Sequence, residues 1–275
     1  MIRVGLVGWP VAHSLSPGMH AAAFETAGLH GSYERVETRP EDLTETVNRC
    51  RAAGWAGLNV TIPHKQAALA LCTTVSPLAR RAGAVNTLTF QSDGVAGDNT
   101  DIPGLLTSLG PAVRAGRHAL ILGAGGAARA ATVGLLDAGL AVTLVNRTSE
   151  RAAALASELG CGHRALEDLG SLDIDVVVNT TAAGMSAPPN TPEWATAQAF
   201  FARVPLAHYG HPTVMDMVYT PAVTPLLALA RQAGCPTVGG IEMLVGQGAL
   251  AFERWTGVAA ASVLQAMRQS VIGIT

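Results

Sequence analysis

Arg147 and Arg151 stand four residues apart, directly after an apolar run that ends at Val145. Upstream lies the turn Gly123-Ala124-Gly125-Gly126-Ala127-Ala128, entered from the apolar stretch His118-Ala119-Leu120-Ile121-Leu122. A G-x-G-x-x-G/A turn between a strand and a helix receives a dinucleotide, with the pyrophosphate facing the helix N-terminus. Gly123 permits the tight turn, Gly125 allows close backbone approach, and Ala128 lets the helix pack near the strand. An NAD site closes its second strand with an acid that bonds the ribose 2′-hydroxyl. Here that place reads Asn146-Arg147-Thr148-Ser149-Glu150-Arg151, and two guanidiniums suit a dianionic 2′-phosphate that an acid would repel. The pattern predicts NADP. The competing reading is a turn followed by solvated surface charges, in which Glu150 pairs with either arginine, and Glu150 also keeps NAD open.

Four further segments group polar residues closely. In His13-Ser14-Leu15-Ser16-Pro17 two hydroxyls sit at a helix entrance, suited to a carboxylate or, for Ser16 before Pro17, to capping. In Asn59-Val60-Thr61-Ile62-Pro63-His64-Lys65 a strand is stopped by proline and a lysine follows on a helical turn. Lys65 is a surface residue by default and a proton carrier if partly desolvated; His64 is expected to face solvent. Gly83-Ala84-Val85-Asn86-Thr87 offers an amide and a hydroxyl at a strand start, and Asn99-Thr100-Asp101 an acid that either caps a helix or faces Lys65. A lysine and an acid facing each other can share proton-transfer work at a carbonyl.

The elements that must hold these residues follow from the apolar pattern. Strands are expected over residues 2–7, 32–36, 57–60 and 87–90, and helices over 17–27, 40–53 and 64–70. This alternation predicts an α/β domain with a mainly parallel sheet. The dinucleotide unit continues through strands 118–122, 141–145, 176–179, 213–216 and 236–238, with a helix over about 129–138 and a surface loop at 188–192. Helical patterns over 243–255 and 259–272 have no further strand to cover them and are expected to return to the first domain. The division is therefore residues 1–104 plus 241–275 as one domain and 105–240 as a Rossmann domain, with substrate and nicotinamide meeting in the cleft between them.

Composition narrows the classes. The chain has 275 residues, 49% hydrophobic and 14% charged, with a net charge of −2, which gives no support to nucleic-acid or membrane-surface binding. Cys50, Cys72, Cys161 and Cys235 are widely spaced, which suits a reducing compartment better than a disulfide framework or a zinc site. No metal is expected: His208 and His211 are spaced H-x-x-H but lack acidic or thiol company and read as surface residues. The N-terminus lacks the pattern of a signal peptide, so a soluble cytoplasmic protein is expected.

These segments together resemble the shikimate dehydrogenase family over nearly the whole chain and in the family's order. The resemblance rests on Ser14-Leu15-Ser16, Asn59–Lys65, Gly83–Thr87, Asn99-Thr100-Asp101, Gly123–Ala127, Asn146–Arg151, Asn179-Thr180-Thr181 with Gly184-Met185, Asp216-Met217-Val218-Tyr219, Thr224–Leu227 and Gly240–Gln247. It implies NADPH-dependent reduction of 3-dehydroshikimate to shikimate, in the route to chorismate and the aromatic amino acids. On that resemblance Ser14, Ser16 and Tyr219 hold the substrate carboxylate, and Thr61, Lys65, Asn86, Asp101 and Gln247 grip the ring hydroxyls. Lys65 and Asp101 form the catalytic pair. Gly123, Ala124, Gly125, Gly126, Ala127, Asn146, Arg147, Thr148 and Arg151 bind NADP, and Met217 and Gly240 lie against the nicotinamide. A small-molecule substrate is the expected partner, with a homodimer open. Two alternatives remain: a quinate/shikimate dehydrogenase using NAD or both cofactors, and a non-enzymatic NADP-binding module.

Overall fold

Short apolar runs broken by glycine, proline and charge make the strands of two sheets, each wrapped by its own helices. The structure is a computed structural model and describes residues 1–272. The described residues divide into two units, one built from Met1–Gly104 and residues 244–272, the other from Leu105–Met243.

The first unit opens with β1 (Ile2–Gly8), α1 (Ser16–Thr26), β2 (Gly31–Glu37), α2 (Leu43–Ala52) and β3 (Gly57–Val60). It continues with β4 (Thr74–Val75), α3 (Pro77–Ala82), β5 (Thr87–Gln91), β6 (Gly94–Asp98) and α4 (Asp101–Leu109). The sheet order is β2-β1-β3-β5-β6-β4. Strands β2, β1 and β3 are parallel, and β4 is parallel to β6, so parallel pairing dominates. β5 runs antiparallel to β3, with Thr87 opposite Asn59, and β6 antiparallel to β5, with Asp98 opposite Thr87. This register has a functional consequence. The ends of β1, β3 and β6 and the start of β5 all reach one sheet edge, which gathers residues from four separate segments.

The second unit holds β7 (His118–Leu122), α5 (Gly126–Asp137), β8 (Ala141–Val145), α6 (Ser149–Leu159), β9 (Gly162–His163) and β10 (Val176–Asn179). α7 (Pro192–Phe201), β11 (Thr213–Asp216), α8 (Pro225–Gln232) and β12 (Thr237–Val238) complete it. All its strand pairings are parallel, in the order β12-β11-β10-β7-β8-β9. Counted from the first strand this is the Rossmann order 3-2-1-4-5-6, whose switch point falls between β7 and β10. Side chains alternate across the sheet. Ala119 and Ile121 join Ala131 and Leu135 of α5 and Leu155 of α6 in one core. Leu120 and Leu122 join Phe201 of α7 and Leu226 of α8 in the other.

The last two helices, α9 (Gly240–Thr256) and α10 (Ala260–Val271), carry the chain back into the first unit. Phe252 of α9 meets Phe24 of α1 edge to face at 5.0 Å. The four cysteines are free. Among the described residues no helix is long and apolar enough to cross a membrane.

Several local expectations need correction. Residues 64–70 are not an α-helix: a turn leads into a 3-10 helix, Ala67–Leu71, because Thr73 must already pair with Val95 at the sheet edge, its amide 2.8 Å from the Val95 carbonyl. His64 does not face solvent; it is 1% exposed, and Nε2 lies 2.8 Å from the Thr38 carbonyl. Ser16 does not cap α1, since Leu15 occupies the cap position and Ser16 is the first helical residue. The proline-rich stretch at 188–192 gives way at Pro192 to α7, with Thr191 as its cap.

Candidate active site

Lys65 leaves the turn after β3, and Asp101 is the first residue of α4. Lys65 Nζ donates to Asp101 Oδ2 at 2.7 Å, with the two side chains 15% and 6% exposed. The pair is therefore largely dry. Asn99 Oδ1 also accepts from Ile102 N in that turn, at 3.3 Å.

Asn86 anchors the same edge. Its Oδ1 accepts from Thr100 N at 2.7 Å and from Thr87 Oγ1 at 3.1 Å. Its Nδ2 donates to Thr100 Oγ1 at 3.0 Å and reaches Gln247 Oε1 of α9 at 3.5 Å. Gln247 Nε2 is held in turn by the Leu244 carbonyl at 2.8 Å. Asn59, at the end of β3, accepts from Tyr33 OH at 2.8 Å and donates to the Asn86 carbonyl at 3.2 Å. A buried amide leaves few alternatives once its donors and acceptors are used, so this network fixes side-chain directions as well as positions.

Thr61 follows β3, its amide bonded to the Val7 carbonyl at 2.9 Å, and its methyl crowds Gly8, where a Cβ would also meet Val11 Cγ1 at 2.7 Å. Glycine is required at that strand end by close approach. The Ser14–Ser16 loop leaves the same strand; both serines are buried, and Ser14 Oγ accepts from Ser16 N at 3.2 Å. Seven of the expected substrate residues (Ser14, Ser16, Thr61, Lys65, Asn86, Asp101 and Gln247) thus lie in the first unit. Tyr219 lies in the second, half-buried on the loop between β11 and α8.

In the second unit Gly123 leaves β7 with φ +124°, a backbone region open to glycine and strained for other residues. Gly125 takes the cap position of α5 without a side-chain cap, and a Cβ built there meets nothing within 4 Å. Gly126 and Ala127 open the helix, whose first-turn amides have no partner within the helix itself. At the end of β8, Asn146 is half-buried while Arg147, Thr148 and Arg151 are exposed, and among the described residues neither arginine has an ion-pair partner. Glu150 does not pair with them. Arg129, in contrast, is committed to Glu158, Nη1 to Oε1 at 2.7 Å.

Gly240 begins α9 against the loop after β11, where a Cβ would stand 2.5 Å from the Met217 carbonyl oxygen. That loop is tied down by Asp216, which accepts from Asn179 Nδ2 at 2.8 Å, Val218 N at 3.0 Å and Thr224 Oγ1 at 2.6 Å. Burial pushes the Asp216 carboxyl up to about 6, and the three hydrogen bonds pull the other way. His208 and His211 are exposed, as expected.

The sequence reading misses the Tyr33–Asn59 contact and the anchoring by Asp216. Tyr33 has a signal: it is the polar-tipped aromatic of a strand facing its own sheet's helices. Asp216 has only its place at the end of an apolar run.

A Rossmann unit preceded by an α/β unit with a buried lysine–carboxylate pair defines a nucleotide-dependent oxidoreductase. Family models match along the chain: shikimate dehydrogenase substrate binding domain over residues 6–88, shikimate/quinate 5-dehydrogenase over 111–187, and shikimate 5′-dehydrogenase C-terminal domain over 240–272. The shikimate dehydrogenase (NADP(+)) of Acidiphilium cryptum is 46% identical over 259 residues, covering 92% of this chain and 90% of that protein. That of Halorubrum lacusprofundi is 43% identical, with 92% of each chain covered. Shikimate 5-dehydrogenase from Thermus thermophilus, solved in complex with NADP(H) and shikimate, superimposes with a TM-score of 0.84 at 39% identity, over 98% of this chain and all of that one. The chain belongs to the shikimate dehydrogenase family.

Proposed function

We propose that the chain catalyses the reversible, NADP-dependent reduction of 3-dehydroshikimate to shikimate, in the route to chorismate and the aromatic amino acids. The observation that carries the reading is the largely dry Lys65–Asp101 pair, 2.7 Å apart, on an edge lined with hydroxyl and amide groups. The dinucleotide fits the second unit. Open space at Gly125, free amides at the start of α5 and two uncommitted guanidiniums suit a pyrophosphate and a 2′-phosphate respectively. When bound, NADP(H) supplies the hydride chemistry.

The remaining work falls to this chain's side chains. Reduction of a ketone leaves charge developing on its oxygen, and a positioned ammonium both stabilises that charge and supplies the proton. Lys65 takes this role, with Asp101 fixing its Nζ and accepting a ring hydroxyl of the substrate. Thr61, Asn86 and Gln247 hold the other hydroxyls, and Ser14, Ser16 and Tyr219 the carboxylate. Gly123, Ala124, Gly125, Gly126 and Ala127 cradle the phosphates, Asn146, Arg147, Thr148 and Arg151 the 2′-phosphate end, and Met217 and Gly240 border the nicotinamide. In domain terms, residues 1–104 with 241–275 bind substrate and 105–240 bind NADP. The chain acts in the cytoplasm on small molecules, as a monomer or homodimer.

The test is a set of initial rates for oxidation of shikimate and of quinate, each with NADP⁺ and with NAD⁺. Shikimate with NADP⁺ is expected to give the highest kcat/KM. Faster turnover of quinate with NAD⁺ would overturn the assignment, and no turnover of any pair would favour a non-enzymatic binding module.

A further inference from the structure

β2 lies at the edge of the first sheet, parallel to β1, and places Arg35 opposite Leu6 and Glu37 opposite Gly8. Residues two apart on a strand share a face. Tyr33 and Arg35 therefore point the same way, and each reaches a different part of the pocket. Tyr33 OH holds Asn59 Oδ1 at 2.8 Å. Arg35 Nη2 donates to the backbone carbonyl of Ser14 at 2.6 Å. The edge strand thus ties down the Ser14–Ser16 loop from outside, while the loop's own bonds, Ser14 N to the Val11 carbonyl at 3.1 Å and Ser16 N to Ser14 Oγ at 3.2 Å, hold it from within.

The charge of Arg35 is otherwise uncommitted. Among the described residues no carboxylate lies within ion-pair distance of it. Its neighbour Glu34, on the opposite face, is taken by Arg3 at 3.0 Å. Glu37, next along Arg35's own face, makes no ion pair with it, and Arg39 lies over the Trp9 ring at 5.3 Å. A guanidinium carries five N–H donors, and the protein takes one here. The hydroxyls of Ser14, Ser16 and Tyr219 are neutral donors; by themselves they offset poorly the cost of removing a carboxylate from water. A cation held against the same loop supplies the missing attraction.

We propose that Arg35 is a positioning and specificity residue for the substrate carboxylate: it fixes the Ser14 main chain and biases the pocket toward anionic substrates. The inference rests on the reading of Ser14 and Ser16 as carboxylate ligands. Because Arg35 is exposed, its electrostatic effect must weaken as salt rises, and a purely structural brace would not behave so.

The experiment measures steady-state kinetics of wild type, Arg35→Gln and Arg35→Lys with shikimate and NADP⁺, at low and at high ionic strength. At low salt Arg35→Gln is expected to raise the KM for shikimate about fivefold, with kcat and the KM for NADP⁺ within about twofold of wild type. That ratio is expected to shrink toward one at high salt, and Arg35→Lys to recover most of the loss. An unchanged KM in Arg35→Gln, or a rise of the same multiple at every salt concentration, would overturn the proposal while leaving the assigned activity intact. Failure of wild type to oxidise shikimate would overturn both.

Discussion

Asp216 and His20 are the two side chains whose burial changes their acid–base behaviour most plainly, and they act in opposite directions. The folded Asp216 carboxyl, at about 6, lies above its ordinary value of 3.8 because burial disfavours the charge. Between those values the folded state binds a proton that the unfolded state has released. The contribution of Asp216 to stability is therefore full below pH 4 or so and is lost as pH rises through about 6. His20 is fully buried, stacked on Tyr33 at 4.2 Å with neither ring nitrogen hydrogen-bonded, and burial lowers it from 6.5 to about 3. Its contribution is present above 6.5 and lost as pH falls toward 3. Asp216→Asn cannot lose stability by ionising. Urea unfolding should accordingly show the midpoint of Asp216→Asn gaining on wild type as pH rises from about 4 to about 6. A difference that is flat or falls over that window would contradict the assignment. His20 does not announce itself in the sequence, since burial is a property of the packed fold, and Asp216 shows only as the acid that closes an apolar run. Lys65, Asn86 and Asp101 stand out more, because each sits in a close group of polar residues beside a strand or helix end.

Helix contacts also position the pocket, and glycines decide how closely helices approach. A Cβ on Gly104 of α4 would lie 3.1 Å from the Gln247 amide nitrogen and 3.2 Å from its Cβ, so α9 packs against bare backbone there. Gly104→Val forces these two helices apart. It is expected to cost about 1–3 kcal/mol of stability by overpacking and to raise the KM for shikimate by drawing Gln247 away from Asn86, with the KM for NADP⁺ unchanged. Thermal unfolding together with steady-state kinetics checks both effects. An unshifted Tm would mean the crossing is looser than this packing requires. At this scale the sequence is unevenly legible. Strands with dense valine and leucine, such as β7 and β10, are plain from it. Three helices that start with a hydroxyl residue and then proline pass unmarked or read as loop: Ser76-Pro77, Thr191-Pro192 and Thr224-Pro225. In each the hydroxyl caps the helix, accepting from Ala79 N, Trp194 N or Leu227 N at 3.2 Å. The cap-then-proline signal is present, but neighbouring prolines and short lengths mask it. β6 is hidden for another reason. Its sequence Gly94-Val95-Ala96-Gly97-Asp98 has low strand propensity, and Gly97 is needed because a Cβ there would meet Cys72 Sγ at 2.5 Å.

For the molecule as a whole, the proposed division of labour is the central claim: the first unit carries proton handling and most of substrate recognition, and the second carries the dinucleotide and contributes Tyr219 to the substrate carboxylate. The doubly wound order of the second unit is legible from its strand and helix alternation and its glycine turn. The first unit's antiparallel β5–β6 hairpin is only partly so: the short turn Ser92-Asp93 before Gly94 dictates antiparallel pairing, but the low strand propensity of β6 hides its second arm. Each unit has a separate core, built around Leu58 and Leu88 in the first and on two faces of one sheet in the second. A change confined to one unit should therefore leave the other's ligand untouched. Lys65→Ala, assayed for shikimate oxidation and in parallel for NADP⁺ binding by calorimetry, tests this most directly. The expected result is a fall in kcat of about 10²–10⁴-fold with NADP⁺ affinity within about twofold of wild type. Turnover at the wild-type rate in Lys65→Ala would contradict the account.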